Sequence, residues 1–346
     1  MKKSEIIVWA SDFSTNRGEG ILANSFFREF IKFYKNKKIT IKTFEQKILF
    51  SKKNFKNFKL IKKNNFFHKY IGPLYGAAYL LFNYRKKIVY LNYLPLWNFL
   101  IFLLLPKKTI LGPITGGSPP SEVTNFSNFI RKYILPLLYK VSLLIIKIKF
   151  KKAIFSTNLL KKYVTDKIRK KYLFCYIYLN FTHIVNKEKK KFDLIFYNRK
   201  HLTKKSFIIK KLILRLPPKL KICVIGEPIL KENIINYGFV DRKKAVQLIR
   251  NSKLAFASSE NILSLFVIDA YNSQTGIVFD KIMKNFKTRI STKNFLSINY
   301  NNLDLAVKKI MRYISIFKFV RDISFQKFLL KKKNKINSYL NSYFSY

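Results

Sequence analysis

The sequence predicts an α/β chain of two doubly wound domains, on three observations. Apolar runs of strand length alternate with segments whose apolar residues recur at helical spacing, as in parallel sheets with crossover helices. The first unit reads as a buried strand at 6–9, a glycine loop and a helix. The 346 residues provide for two cores. We predict domains at 1–183 and 184–324, with the C-terminal tail 325–346 packing back on the first.

The charge balance is extreme, because 69 basic and 17 acidic residues give a formal net charge of +52. Such a charge attracts polyanions, whether nucleic acid, anionic lipid or a nucleotide diphosphate. The lysines are dispersed along the chain, and Lys, Asn, Ile, Phe and Tyr are abundant together, as an AT-rich coding sequence would produce. The pattern argues against a nucleic-acid partner and favours peripheral association with an anionic membrane. A basic nucleic-acid-binding protein stays an alternative.

The sequence indicates neither a metal site nor a membrane-spanning helix. Cys175 and Cys223 are isolated and the three histidines are scattered, so no metal site is predicted, and free thiols indicate a reducing compartment. The longest apolar runs, 94–105 and 133–146, fall short of the roughly 18 to 20 residues that span a bilayer. We therefore expect a cytoplasmic protein, which would work at the inner face of the plasma membrane if it binds lipid.

The elements of the first half follow from periodicity. Region 55–70 interleaves lysines with phenylalanines, either as a stacking platform for single-stranded nucleic acid or as lysines snorkelling over a half-buried surface. The basic, apolar helix at 128–149 is compatible with core packing and with in-plane attachment to an acidic bilayer. The predicted strands are 6–9, 39–44, 88–93, 109–111 and 153–157, and the predicted helices are 96–105, 128–149 and 159–163.

Two glycine-containing loops follow strands in this half. Gly18 and Gly20 precede a helix, where small residues and free backbone N–H groups favour an anion, although tight turns use glycine widely. The segment 112–120 holds three glycines and three prolines, which impose a rigid loop. It is either a plain connection or a binding loop at a strand end.

The second half repeats the alternation after a polar hinge between 175 and 191. Its predicted strands are 192–197, 221–225, 237–240, 254–257 and 277–279, and its predicted helices are 207–216, 243–250, a buried helix of about three turns after Ser264, and 303–316.

Arg199 and Lys204 lie five residues apart where a strand gives way to a helix. A guanidinium and an ammonium beside a helix N-terminus would stabilise the negative charge of a departing nucleoside diphosphate without a metal. In a chain this rich in lysine, such a pair also arises by chance.

The stretch 258–279 places an acid, Asp269, within an apolar helix, followed by an expected turn at Gly276. A carboxylate there is costly to bury unless it has partners. The alternative is that Asp269 lies on the polar stripe of an ordinary crossover helix.

These motifs together resemble those of GT-B glycosyltransferases of the family 4 (group 1) type. Asn261 and Asp269 align with the family's E-x7-E pattern, with Asn replacing the first Glu and Asp the second. Arg199 and Lys204 match its GR-x4-KG motif, with Asn198 at the first glycine position and Lys205 at the second. The segment 112–117 resembles its GPI-x-GG loop, and the turn at 226–228 its G-x-G turn.

The resemblance implies two Rossmann-like domains facing across a cleft, and it implies roles for individual residues. The implied catalytic residues are Arg199, Lys204 and Asn261. The implied donor-binding residues are Asp269, which would hold the ribose, together with Glu260, Ser264, Leu265, Gly226, Gly18 and Gly20. The implied acceptor and cleft loop contains Gly112, Thr115, Gly116 and Gly117.

The implied function is retaining, metal-independent transfer of a sugar from a nucleotide-diphosphate donor, with no other cofactor. The acceptor would be a glycan or a lipid-linked glycan in bacterial polysaccharide or lipopolysaccharide biosynthesis. Because Asn261 replaces the first motif acid, a catalytically degenerate GT-B partner protein is the alternative.

Overall fold

The chain packs into unit 1, Met1–Tyr176 with Asn334–Tyr346, and unit 2, Ile177–Lys333. The domain boundary proposed from sequence stays a prediction beside this division. A computed structural model describes residues 5–11, 13, 18–34, 37–44, 47–50, 70–117, 126–165, 169, 171–182, 189–199, 206–258, 263–281 and 293–345.

Unit 1 is built on a sheet of order β3-β2-β1-β4-β5, in which β3 runs antiparallel and the other strands run parallel. β6 and β7 form a separate parallel pair. The elements are β1 Glu5–Ala10, α1 Gly18–Phe33, β2 Lys38–Lys42, β3 Lys47–Leu49, α2 Gly72–Phe82, β4 Lys87–Asn92, α3 Phe99–Leu104, β5 Ile110–Leu111, α4 Phe126–Phe129, a π-helical turn Ile130–Ile134, α5 Leu135–Lys149, β6 Ala153–Ile154, a 3-10 turn Leu159–Tyr163 and β7 Tyr172–Leu173.

The core of unit 1 follows from these patterns. Five of the six residues of β1 are buried, as expected for a parallel strand covered on both faces. α1 buries Leu22, Phe26 and Phe30, which recur at helical spacing. Helices α2, α3 and α5 contribute buried apolar side chains to one cluster with β1 and β4.

Two helices of unit 1 differ from the sequence-based expectation. The helix predicted at 128–149 is interrupted by a π-helical turn immediately before α5. Pro136 is at the start of α5 and has no N–H for the bond to the preceding turn, so the backbone widens there. Helix α2 was not predicted, because Gly72-Pro73 resembles a turn and its apolar residues show no single face.

Unit 2 is built on a parallel sheet of order β10-β9-β8-β11-β12-β13. A 3-10 turn, Tyr176–Asn180, spans the division between the units. The elements are β8 Phe192–Asn198, α6 Ser206–Arg215, β9 Ile222–Gly226, β10 Ile234–Asn236, α7 Arg242–Arg250, β11 Ser252–Phe256, α8 Leu265–Asn272, β12 Gly276–Asp280, β13 Phe295–Ile298, α9 Leu303–Ile316 and α10 Ile323–Phe344.

Three local predictions in unit 2 are wrong. The strand predicted at 237–240 lies at 234–236, because Gly238 has a φ of +63° that a strand excludes. The helix after Ser264 has eight residues rather than three turns. The left-handed residue that follows it is Gln274, with a φ of 55°, and not Gly276.

Gly276 begins β12, where its missing side chain makes room for close packing. A Cβ atom there would lie 2.6 Å from Leu254 Cδ2 and 2.6 Å from Phe317 Cε2. The glycine that sequence reasoning assigned to a turn therefore serves a contact in the core.

Helix α10 contributes to both units. Within unit 2, the Phe325 ring lies 5.1 Å from that of Tyr271. Within unit 1, Tyr343 Oη is 2.8 Å from both the N and the O of Leu111, and the Phe344 ring packs 5.3 Å from that of Phe26. The aromatic residues of the tail thus pack in hydrophobic cores.

Within the described ranges, no helix combines the length and hydrophobicity required to cross a bilayer. Cys223 is buried in β9, and this burial raises the pKa of its thiol to about 12.

Candidate functional site

The carboxyl edge of the unit 2 sheet has a topological switch point between β8 and β11. The chain proceeds outward from β8 through β9 to β10, and outward on the other side from β11 through β12 to β13. Ligands of doubly wound folds bind in the crevice that such a reversal leaves beyond the strand ends. Arg199 directly follows β8, and α8 is the helix that follows β11.

The end of β8 is anchored to the end of β9. Asn198 is buried, its Nδ2 donates to the Glu227 carbonyl at 2.9 Å, and the Glu227 N–H donates to the Asn198 carbonyl at 3.0 Å. This pairing gives a structural reason for asparagine where the family motif has glycine. Arg199, the next residue, is exposed at the strand end.

Gly226 ends β9 beside this pair. Its φ is +95°, and a Cβ atom would lie 2.1 Å from the Asn198 carbonyl oxygen. The position therefore requires glycine for backbone conformation and for close approach. This packing requirement is sufficient to explain Gly226, and its donor-binding role stays a prediction.

Gly226→Ala is expected to destabilise the protein more than Gly238→Ala does. Both glycines have positive φ, but nothing lies within 4 Å of a Cβ at Gly238. Alanine at Gly238 should cost about 1–2 kcal/mol for the left-handed backbone, and the clash at Gly226 should add about 1–3 kcal/mol. Urea unfolding of the two variants measures the difference. Equal losses would show that the contact with Asn198 relaxes freely.

Helix α8 begins at the switch point with a side-chain cap. Ser264 Oγ accepts from the Val267 N–H at 3.3 Å, which satisfies one free donor of the first turn. Leu265 is the first helical residue and is half-buried. The ring of Phe266 lies 6.2 Å from that of Tyr197, the penultimate residue of β8. The start of α8 and the end of β8 are therefore in contact.

Asp269, in the middle of α8, is bound by Arg242, the first residue of α7. Arg242 Nη2 donates to Asp269 Oδ1 at 2.8 Å, and Nε donates to Oδ2 at 3.3 Å. The Asp269 side chain is 13% exposed and that of Arg242 is 34% exposed. Burial raises the pKa of Asp269, and the hydrogen bonds and charge of Arg242 act in the opposite direction.

The sequence left two interpretations of Asp269, a buried acid with partners or a residue on the polar stripe of a crossover helix, and the pair with Arg242 favours the first. The carboxylate is not on a solvated stripe, because it is largely buried and has a bidentate partner. Sequence reasoning missed Arg242, since nothing local distinguishes it among the many cations of the chain. The local signal that could have pointed to Arg242 is its position directly after Asp241, a residue type that favours the start of a helix. Asp241 Oδ1 accepts from the Lys244 N–H at 2.8 Å and caps α7.

Other residues implied by the resemblance lie outside the described residues. These are Lys204, Glu260 and Asn261. Their roles stay predictions. The described residues of the implied site in unit 2 lie in two places. The carboxyl edge of the sheet holds Arg199 and Gly226, and helix α8 with its cap holds Ser264, Leu265 and Asp269.

Unit 1 has its own switch point, between β1 and β4. The two strand ends are joined there, because the Ser11 N–H donates to the Asn92 carbonyl at 2.9 Å and Ser11 Oγ accepts from the Tyr93 N–H at 3.3 Å. Gly18 and Gly20 belong to the first turn of α1, and Gly20 is buried. The two glycines thus begin the helix, whereas the sequence suggested a preceding loop.

The glycine loop after β5 is held by neighbouring backbone. A Cβ at Gly112 would lie 2.0 Å from the Leu91 carbonyl oxygen, and one at Gly116 would lie 2.7 Å from Leu160 Cδ2. Thr115 is buried and its N–H donates to the Leu94 carbonyl at 2.9 Å. The Gly117 carbonyl accepts from Tyr139 Oη at 3.4 Å. Close packing alone explains Gly112 and Gly116, and ligand roles for the loop stay predictions.

The described residues include no group of three or more His, Cys, Asp or Glu side chains able to hold a metal ion. In unit 2, the end of β8 offers a cation at Arg199, and helix α8 offers an anion at Asp269, which is paired with Arg242. A basic group at a strand end suits a phosphate, and a carboxylate suits hydroxyl groups.

Comparisons with known proteins identify the fold. No family model matches the chain, and a search of curated proteins finds no match. Sucrose-phosphate synthase from Thermosynechococcus elongatus aligns with a TM-score of 0.59 at 10% identity, covering 99% of this chain and 95% of its own. Anabaena HepE, in complex with UDP-glucose, aligns with a TM-score of 0.57 at 12% identity, covering 98% and 100%.

A third solved structure, the lipopolysaccharide outer core galactosyltransferase WaaB in its apo form, aligns with a TM-score of 0.55 at 12% identity, covering 99% of this chain and 97% of its own. These likenesses, together with the parallel sheet of unit 2 and the largely parallel sheet of unit 1, confirm the prediction of a GT-B fold. At such identities the fold is what the proteins share.

Proposed function

We propose that this GT-B chain is a retaining glycosyltransferase that moves a sugar from a nucleotide-diphosphate donor to a glycan or lipid-linked glycan. One observation carries the proposal: Arg199 and the helix bearing Asp269 follow adjacent strands, β8 and β11, at the switch point of the unit 2 sheet. A cation for the diphosphate and an acid for the ribose are therefore available at the edge where this fold class binds ligands.

Arg199 would act on the leaving group. As the bond between the sugar C1 and the diphosphate oxygen breaks, negative charge accumulates on the diphosphate, and a guanidinium beside it lowers the energy of that state. Lys204, five residues later, would add a second positive charge. The acceptor oxygen bonds to C1 on the same face, and its proton passes to the leaving phosphate.

Asp269 would hold the ribose of the donor. Each carboxylate oxygen already accepts one hydrogen bond from Arg242. A carboxylate offers about four lone-pair sites, so each oxygen retains capacity for one ribose hydroxyl. Arg242 would orient the carboxylate and keep it ionised, which makes it a positioning residue and not a catalytic one.

The donor class has support beyond the motifs. The HepE structure, which shares this fold, contains UDP-glucose. A UDP-sugar is therefore the first donor to test. The WaaB likeness and the motif resemblance support a surface-glycan acceptor, such as lipopolysaccharide.

Thermal shift against UDP-, GDP- and ADP-sugars tests the proposal. We expect one nucleotide class to raise the Tm more than the others, because the three donors share the ribose and the diphosphate and differ in the base. Turnover of the stabilising donor should persist in EDTA, since the cations replace a metal. Absence of any shift at millimolar donor concentrations would contradict nucleotide-sugar binding, and loss of turnover in EDTA would contradict metal independence.

The second candidate, a catalytically degenerate GT-B partner protein, rests on Asn261 in place of the first motif acid. It predicts a Tm shift with the same donor and no transfer to any acceptor. Asn261→Glu separates the two candidates: transfer gained only in the variant would favour the degenerate protein.

A further inference from the structure

The outward side of helix α5 in unit 1 is apolar although its inward side already packs in the core. Tyr139, Leu143 and Ile146 are buried in the unit 1 cluster. On the opposite side, four exposed apolar residues recur at helical spacing and form a stripe. They are Leu137 (60% exposed), Val141 (42%), Leu144 (56%) and Ile148 (74%). A helix that is apolar on both sides and covered on one lacks an apolar partner on the other.

Helix α3 lies beside the C-terminal end of α5 and adds two exposed leucines. Lys149, at the end of α5, donates to the carbonyl oxygens of Phe102 and Leu103, so the two helix ends are adjacent. On α3, Leu100 is 41% and Leu103 is 54% exposed, while Phe102 is buried. We call the six residues Leu100, Leu103, Leu137, Val141, Leu144 and Ile148 the apolar face. Large exposed apolar side chains grouped on neighbouring helices are typical of interaction surfaces.

In the described segments that contain the apolar face, 70–117 and 126–165, every charged residue is basic. Lys107 and Lys108 follow α3 and are exposed, and Lys140 and Lys147 are exposed on α5 beside the apolar stripe. Across 70–117 and 126–165 the sequence contains no aspartate or glutamate. On a helical wheel both α5 lysines lie along one side of the stripe, a position from which long side chains reach polar headgroups while the helix axis lies in the interface.

We infer that the apolar face docks on the surface of a bilayer containing anionic lipid. Its leucines and isoleucine would enter the boundary between headgroups and acyl chains, and the four lysines would contact anionic headgroups. A second copy of the chain is disfavoured as the occupant, because two such faces would bring like charges together and the described segments 70–117 and 126–165 contain no acid to offset them. The helix predicted at 128–149 would then face the bilayer with its outward side, while its inward side packs in the core.

Co-sedimentation of the full chain with vesicles tests the inference, and it needs no donor, so it is independent of sugar transfer. The vesicles are equal parts phosphatidylcholine and phosphatidylglycerol, with pure phosphatidylcholine for comparison. The face variant is Leu137→Gln with Leu144→Gln. Its matched control is Leu305→Gln with Leu330→Gln, since these leucines are 46% and 59% exposed on unit 2 helices. We expect the face variant to bind anionic vesicles at least roughly tenfold more weakly and the control to bind like wild type.

A charge variant separates the electrostatic contribution of the lysines to vesicle binding from the apolar contribution of the leucines. Lys140→Gln with Lys147→Gln should weaken binding to anionic vesicles roughly 25-fold, at about a factor of five per lysine. Lys308→Gln with Lys309→Gln, exposed on α9, removes the same charge from unit 2 and should have a much smaller effect. Thermal unfolding confirms that each variant is folded, since all eight positions are exposed.

Four results would overturn the inference. The first is wild-type chain that stays in the supernatant with anionic vesicles. The second is a face variant that binds them as wild type does. The third is equal binding to pure phosphatidylcholine, which would exclude a requirement for anionic lipid. The fourth is wild-type chain that sediments as a dimer in ultracentrifugation and a face variant that sediments as a monomer, which would identify a second copy as the occupant.

Discussion

Arg199→Ala is expected to lower kcat/KM for sugar transfer by about two to three orders of magnitude, as is typical when a preorganised charge is removed from the site of a developing anion. Arg199 is exposed at the end of β8, so its loss should leave the Tm nearly unchanged. Turnover is measured with the donor that thermal shift identifies. Arg199→Lys should recover part of the rate, because it keeps the charge and loses the planar fork.

Arg215→Ala is the matched control for this experiment. Arg215 lies on α6 in the same unit, and its Nη1 donates to Asp304 Oδ1 at 2.8 Å in an exposed pair. Exposed pairs contribute about 0–1 kcal/mol, so both rate and stability should stay near wild type. A rate for Arg199→Ala within twofold of wild type would remove Arg199 from the proposed chemistry.

Asp269→Asn is expected to raise the KM for the donor by about ten- to a hundredfold, since a hydrogen bond to a charged group contributes about 1.5–3 kcal/mol. It should also lower stability, because Arg242 would retain its charge beside a neutral amide. Arg242→Ala is the comparison. It leaves a largely buried carboxylate without its bidentate partner and should cost about 1–3 kcal/mol, a figure reduced for the partial exposure of Arg242.

The two variants distinguish ribose binding from a structural ion pair. Both break the pair, but only Asp269→Asn removes the negative acceptor for ribose hydroxyls. A larger KM effect in Asp269→Asn than in Arg242→Ala is therefore expected. Equal KM effects, with equal losses of stability, would assign the pair to packing alone and withdraw Asp269 from the donor site.

The Arg242 variant should also change the dependence of stability on pH. Burial holds the pKa of Asp269 above its usual value in the folded protein, and loss of Arg242 raises that pKa further. Between the unfolded and the folded pKa, the native state binds the proton that the unfolded chain has released. The free energy of unfolding therefore falls as the pH rises through this window, and the fall should be larger in Arg242→Ala. A urea-unfolding series from acidic to neutral pH measures it.

Several elements could be predicted from local patterns because the signal lies within a few residues. Helix α9 runs over Leu303–Ile316, the range that its helical spacing predicts, and its apolar stripe is buried. The apolar runs at β1 and β8 also lie where expected. Helix α2 could not be found in this way, since a helix with no polar side carries no periodic signal.

The role of an individual glycine could not be predicted from the residues around it in the sequence. Sequence reasoning can tell that a glycine permits unusual backbone or close approach, but it cannot tell which of the two a position needs. Gly226 needs both, Gly276 needs only close approach to Leu254 and Phe317, and the turn expected at Gly276 is made by Gln274. The neighbour that decides each case is distant in the chain.

The sequence by itself determined the alternation of strands and helices, the GT-B fold and the place of Arg199 at a strand end, because periodicity and motif spacing are properties of contiguous residues. Only the tertiary structure decided that Arg242 is the partner of Asp269 and that α5 is apolar on a side the core does not cover. Burial and charge pairing depend on which distant segments meet. In a chain with 69 basic residues, no local signal singles out the one that a given acid will bind.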